Sequence, residues 1–110
     1  IDIDPRVDGL EAIEQGDILS LDGSRQSDLV ICFEVAEHID PKYCDDIVKS
    51  VFNTIESGGK LIWTASQPGQ GGIGHINNRK KDFWYNKFIE MNLHYESELT
   101  NFKEFDPNYQ

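Results

Sequence analysis

Two apolar runs stand out along the chain. Residues 29–33 read Leu-Val-Ile-Cys-Phe with no polar interruption, and residues 60–66 read Lys-Leu-Ile-Trp-Thr-Ala-Ser. A run without polar alternation predicts a strand buried on both faces, as in a parallel sheet covered by helices. Between the two runs, Cys44, Ile47, Val48, Val51, Phe52 and Ile55 recur at i, i+3, i+4, i+7, i+8 and i+11, which is one apolar face of an amphipathic helix. Asp40-Pro41 predicts the start of that helix, as an N-cap followed by proline at the first helical position. Ser57-Gly58-Gly59 predicts its end, with glycine where a left-handed C-cap needs one. Strand, helix, strand in this order makes a right-handed parallel crossover the default. The expected class is α/β.

The flanking segments are weaker. Ile1-Asp2-Ile3-Asp4-Pro5 alternates apolar and acidic and predicts a short strand that stops at the proline. Residues 6–14 are too few for a crossover helix, and Gly9 interrupts them. Residues 15–21, Gln-Gly-Asp-Ile-Leu-Ser-Leu, predict a second short strand, and 22–27 a polar turn. The segment 67–78 is a long loop with one histidine, His75, and four glycines within residues 69–74. It lacks the Lys-Ser/Thr ending of a phosphate loop. Residues 82–91 predict a further helix, with Trp84, Phe88 and Met91 as a core stripe. Residues 93–96 predict a short strand. Ser97 is expected to cap a terminal helix carrying Leu99 and Phe102, which Asp106-Pro107 ends. No repeat or linker divides the chain, so residues 1–110 make one domain.

The chemistry gathers where strands end. In open α/β sheets, ligands sit outside the carboxyl ends of the strands. The first apolar run leads directly into Glu34-Val35-Ala36-Glu37-His38. If that stretch turns helically, Glu34, Glu37 and His38 share a face at i, i+3 and i+4. Two carboxylates and an imidazole suit a divalent metal, and His75 can reach in from the next loop. An alternative role for His38 is general base, or a group that orients the backbone. An acid at the carboxyl edge of the first predicted strand can accept both hydroxyl hydrogens of a ribose.

Charge and composition narrow the partners. Lys plus Arg number 10 and Asp plus Glu 20, for a net charge of −10. That balance argues against a nucleic-acid footprint. No apolar run approaches the length of a membrane span. Cys32 and Cys44 lack metal-ligand spacing and read as small hydrophobes in a reducing compartment, which makes a cytoplasmic location the expectation. The chain begins at Ile1, not Met.

The stretch Asp28-Leu29-Val30-Ile31-Cys32-Phe33-Glu34-Val35-Ala36-Glu37-His38-Ile39 resembles the fourth strand and following loop of class I S-adenosylmethionine-dependent methyltransferases, and the resemblance runs in order to about residue 97. It implies a Rossmann-like sheet, S-adenosyl-L-methionine as cofactor and a small-molecule acceptor as partner. It places the ribose contact on Asp2, with Ile3 beside it and Asp4 second. It puts the adenine amine on Asp17 and the ring face on Ile18. It gives Glu34 to the cofactor side or to a metal, and makes His38 and His75 the catalytic candidates. Pro68-Gly69-Gln70-Gly71-Gly72-Ile73-Gly74-His75-Ile76-Asn77 is similar to a loop after the fifth strand in one subset of the family. Glu-x-x-Glu-His with a later histidine resembles the metal-dependent O-methyltransferases that act on small-RNA 3′-terminal ribose or in ubiquinone biosynthesis. That likeness implies a divalent metal on Glu34, Glu37, His38 and His75.

The family's sheet has seven strands in the order 3-2-1-4-5-7-6. The chain matches strands 2 to 6, so strand 1 with its glycine-rich loop and strand 7 are missing. The expectation is a fragment of a longer enzyme that binds the cofactor weakly or not at all by itself. Two other readings stay open: half of a nicotinamide-dependent oxidoreductase, and a non-catalytic remnant or partner-binding domain.

Overall fold

The computed structural model describes residues 1, 3, 5–7, 9 and 11–95. Two parallel strands, β1 (Ser27–Phe33) and β2 (Ile55–Thr64), carry two ten-residue helices, α1 (Cys44–Asn53) and α2 (Lys81–Glu90). Short 3-10 turns occupy Pro5–Val7, Ile18–Ser20, Ala36–His38 and Pro41–Tyr43. The α/β class and the parallel pairing therefore hold, in a sheet of two strands among the described residues.

Regular pairing sets Leu29 against Lys60, Val30 against Leu61, Cys32 against Trp63 and Phe33 against Thr64. Side chains alternate between faces, so Val30, Cys32, Leu61 and Trp63 share one face. α1 lies against β2, α2 and the 18–20 turn. The buried cluster is Ala36, Cys44, Ile47, Val48, Trp84 and Phe88, with Leu61 and Trp63 packed on it. The Trp63 ring meets Trp84 at 5.3 Å and Phe88 at 5.0 Å between centroids. The helical periodicity thus identified the core face of α1 correctly, and the 84/88/91 stripe is core as expected.

Four expectations need correction. First, 29–33 is not buried on both faces: Leu29, Ile31 and Phe33 are about half exposed at 49, 56 and 50%. The helices cover only the Val30–Cys32 face, so an apolar run reports the strand and not the number of layers over it. Second, Gly58 and Gly59 do not end α1. The helix stops at Asn53 with Thr54 as C-cap, and Ile55 already belongs to β2. Two steps along β1, from Ser27 to Leu29, face five along β2, from Ile55 to Lys60. Residues 56–59 therefore form a bulge, with Gly58 at φ 80°. A Cβ at Gly59 would lie 2.9 Å from the Glu56 carbonyl oxygen, so the bulge closes only over a glycine.

Third, the described residues of the N-terminal segment form neither predicted strand. Ile1 and Ile3 are exposed and lie outside any strand, and residues 18–20 turn as a 3-10 helix. The Asp17 carboxylate caps that turn by accepting from the Leu19 N–H at 2.9 Å, which favours the turn over an extended strand. Fourth, 93–95 is not a strand. α2 ends in a Schellman motif: Asn92 sits at φ 66°, its N–H donates to the Ile89 carbonyl, and the Leu93 N–H donates to the Phe88 carbonyl. The expected helix after Ser97 and residue Glu96 fall outside the described residues, as do Asp2 and Asp4. No helix among the described residues is long and apolar enough to cross a membrane.

Candidate metal centre

β1 delivers the acids. Its last residue, Phe33, pairs with Thr64, and the following Glu34 N–H still donates to the Thr64 carbonyl at 2.9 Å. Glu34 then takes φ 53°, a left-handed conformation that costs a residue with a Cβ about 1–2 kcal/mol. This turns the chain back, so that Ala36–His38 closes as a 3-10 turn with Ala36 and Glu37 fully buried. The helical turn expected over 34–38 is therefore present only at Ala36–His38: Glu34 lies outside it and is brought to the site by its left-handed bend and not by helical spacing.

The glycine-rich loop folds onto this turn. The Glu37 carbonyl accepts from the Ile76 N–H at 2.9 Å and the Asn77 N–H at 3.0 Å. His38 Nδ1 lies 3.2 Å from the Gly74 carbonyl oxygen. A carbonyl only accepts, so this contact makes Nδ1 the protonated nitrogen and leaves the Nε2 lone pair for a ligand. His75 stands edge-on to His38, with ring centroids 4.6 Å apart and planes at 82°. Its ring occupies the space a side chain at Gly72 would take: a Cβ there would lie 2.6 Å from His75 Cε1. Gly72, at φ 126°, is therefore part of the site's construction.

Glu37, His38 and His75 present one ligand atom each, all within 4.8 Å of one another. Glu37 is wholly buried, and apart from the neighbouring acid Glu34 neither of its oxygens has a hydrogen-bond partner; buried His75 Nδ1 has none. A buried carboxylate without a donor is costly unless something cationic satisfies it. Oxygen and nitrogen donors in this number suit a divalent first-row cation or Mg²⁺. Glu34 adjoins the set. Its carboxyl is held above the ordinary carboxylate range, first by hydrogen bonding to Glu37, then by burial and by the Glu37 charge; His75 and His38 pull it the other way. Protonated Glu34 donates to Glu37, whereas ionised Glu34 repels it.

The predicted site residues thus divide. Glu34, Glu37, His38 and His75 come together at the end of β1. Asp17 and Ile18 sit at a capped, part-buried turn that packs on α1, Ile3 is exposed at 67%, and Asp2 is outside the described residues. Sequence reasoning missed Asn77 and Gly72. Asn77 is only 2% exposed and joins the loop to the acid turn, and the one signal for it was its place two residues after His75. A comparison of the chain with protein-family models, curated proteins and solved structures finds no match.

Proposed function

We propose that this chain carries the metal centre of an S-adenosylmethionine-dependent methyltransferase acting on a hydroxyl acceptor. The observation that carries the metal is the buried Glu37 carboxylate, with no donor but the neighbouring acid Glu34, facing His38 and His75. The support for methyl transfer is the resemblance of residues 28–39 and of the 68–77 loop to that family, and with it a Rossmann-like sheet of which β1 and β2 would be the fourth and fifth strands.

The residues fit the metal. Glu37, His38 and His75 would hold it, with Glu34 as a fourth ligand once ionised. A bound divalent cation supplies Lewis acidity that lowers the pKa of an acceptor hydroxyl. The chain's own residues do the rest. The Gly74 carbonyl holds His38 in one tautomer, Gly72 leaves room for the His75 ring, and the buried turn keeps water from Glu37. The described residues do not assemble a cradle for S-adenosylmethionine: Asp17 is engaged in a cap and Ile3 faces solvent. The cofactor therefore enters this reading through the resemblance alone.

The test is transfer of a labelled methyl group by this chain, and by any longer chain that contains it, before and after chelation. Loss on chelation and recovery with Mg²⁺, Mn²⁺ or Zn²⁺ is expected. Transfer that survives chelation removes the metal and leaves His38 or His75 as a base or an acceptor-orienting group. Saturable metal binding without any transfer removes the methyltransferase.

A further inference from the structure

The donors of the metal centre come from two segments far apart in sequence, Glu37 and His38 on one and His75 on the other. Something must hold the two in register, and the loop that carries His75 is rich in glycine, which favours many conformations. Four of its glycines, 69, 71, 72 and 74, take positive φ. Among the described residues no side-chain hydrogen bond fixes the His75 ring, and its buried Nδ1 has no partner. Contacts at Gly74 and Ile76 bring the loop to the acid turn, and the side-chain restraint lies two residues on from His75.

We propose that Asn77 is a positioning residue, one that registers the glycine-rich loop, and so the His75 ring, against Glu37 and His38; as a statement about a metal centre this rests on the reading above. Asn77 uses its backbone and both ends of its amide. Its N–H donates to the Glu37 carbonyl at 3.0 Å. Its Nδ2 donates to the Ala36 carbonyl at 3.4 Å and to Cys44 Sγ at 3.3 Å, reaching the acid turn and the start of α1 together. Its Oδ1 accepts from Arg79 Nε at 2.8 Å. That last bond sets the amide's orientation. The Arg79 N–H must meet an acceptor, so the oxygen faces Arg79 and the NH₂ faces the Ala36 carbonyl and Cys44. Arg79 is held in turn, its guanidinium 4.7 Å from the Phe83 ring centroid on α2. The chain of contacts therefore runs from α2 through Arg79 and Asn77 to the residues flanking Glu37. Groups that orient metal ligands from behind typically change affinity by about 10–100-fold when removed.

The experiment compares the whole chain with Asn77→Ala and Arg79→Met by two readouts. The first is Mn²⁺ affinity from the free-ion paramagnetic resonance signal, taken well below each protein's Tm. Asn77→Ala should weaken it at least tenfold. Arg79→Met keeps apolar contact with Phe83 but frees the amide to flip, and should weaken it at least threefold. The second needs no metal: the nuclear Overhauser contact between the His38 and His75 ring protons, which should be present in the parent chain, lost in Asn77→Ala and diminished in Arg79→Met. A merely structural role for Asn77 lowers Tm and leaves both readouts in place. A ring contact retained in both variants overturns the proposal, whether or not Mn²⁺ binds. Absence of Mn²⁺ binding by the parent chain, with the ring contact still dependent on Asn77, overturns the metal reading and leaves the positioning role standing. Should Asn77→Ala fail to fold, Arg79→Met decides alone.

Discussion

Glu37 is an acid with no exposure and no hydrogen-bond donor other than a protonated Glu34, and that state has two opposite consequences for one substitution. Glu37→Gln keeps the volume and removes a buried charge. In metal-free protein it should raise stability, because a neutral amide costs less to bury than a carboxylate, while it abolishes Mn²⁺ binding. Thermal unfolding with and without Mn²⁺ checks both halves; a lower Tm without metal would mean that Glu37 already has a partner. Cys32 lies close enough to feel the same charge. Its thiol is pushed up to about 12, by burial first and by Glu37 second, from an ordinary value of 9.0. Between pH 9 and 12 the unfolded chain sheds a proton that the folded chain keeps, so stability falls as pH rises across that window. Alkaline unfolding followed by circular dichroism should show this limb flattened in Cys32→Ala. At this scale the sequence was informative where spacing implies contact. Glu37 and His38 lie on the expected turn, while Glu34 reaches the site by a left-handed bend just before it. The sequence was silent where contact depends on a distant segment, so the Asn77 amide and the Gly72 niche had no pattern to announce them.

Elements begin and end where backbone and side chain agree, and two glycine positions show how the same residue type serves different ends. At Gly58 and Gly59 the sequence suggests a helix cap, whereas the chain uses them to bulge β2 past Asp28. Both uses need a residue free of a Cβ, so composition alone does not separate them. At Gly72 the need is specific: any side chain strikes the His75 ring. Gly72→Ala should therefore weaken Mn²⁺ binding at least tenfold with little change in Tm, because the loop is exposed and lies outside the buried core. Unchanged affinity would show that His75 is not a ligand. α2 supplies the converse case, a left-handed residue that is not glycine. Asn92 closes the Schellman motif at φ 66°. Asn92→Val should cost about 1–2 kcal/mol, the penalty of placing a β-branched residue in that region. Chemical denaturation reads it directly, and an unchanged midpoint would remove the motif from the account of how α2 stops. The periodicity of 82–91 located the helix to within a residue of its start, yet Asn92 was passed over, because asparagine at a C-terminus is a weaker stop signal than glycine.

On the scale of the whole molecule, one face of the sheet is covered and the other is not. The covered face binds β1 and β2 to α1 and α2 and fixes where β1 ends, which places Glu34 to His38. The opposite face presents Leu29, Ile31 and Phe33, each about half exposed, and among the described residues β1 pairs only with β2, so its other edge is open. An open edge beside alternating apolar side chains is a template for pairing with another chain. Against this stands a net charge of −10, which keeps copies apart by mutual repulsion. Salt screens the repulsion and leaves the apolar attraction in place: the Debye length falls from about 30 Å at 0.01 M to about 10 Å at 0.1 M. Self-association should therefore increase with NaCl, the reverse of what attraction between unlike charges would give. Ile31→Lys sets a charge in the middle of this face, at a side chain more than half exposed, and should abolish the salt-induced association while leaving stability within about 0.5 kcal/mol of the parent. Sedimentation velocity at low and high salt reads the difference. If Ile31→Lys associates as the parent does, the contact lies elsewhere on the surface. If it unfolds, this face is packed more closely in solution than its exposure indicates.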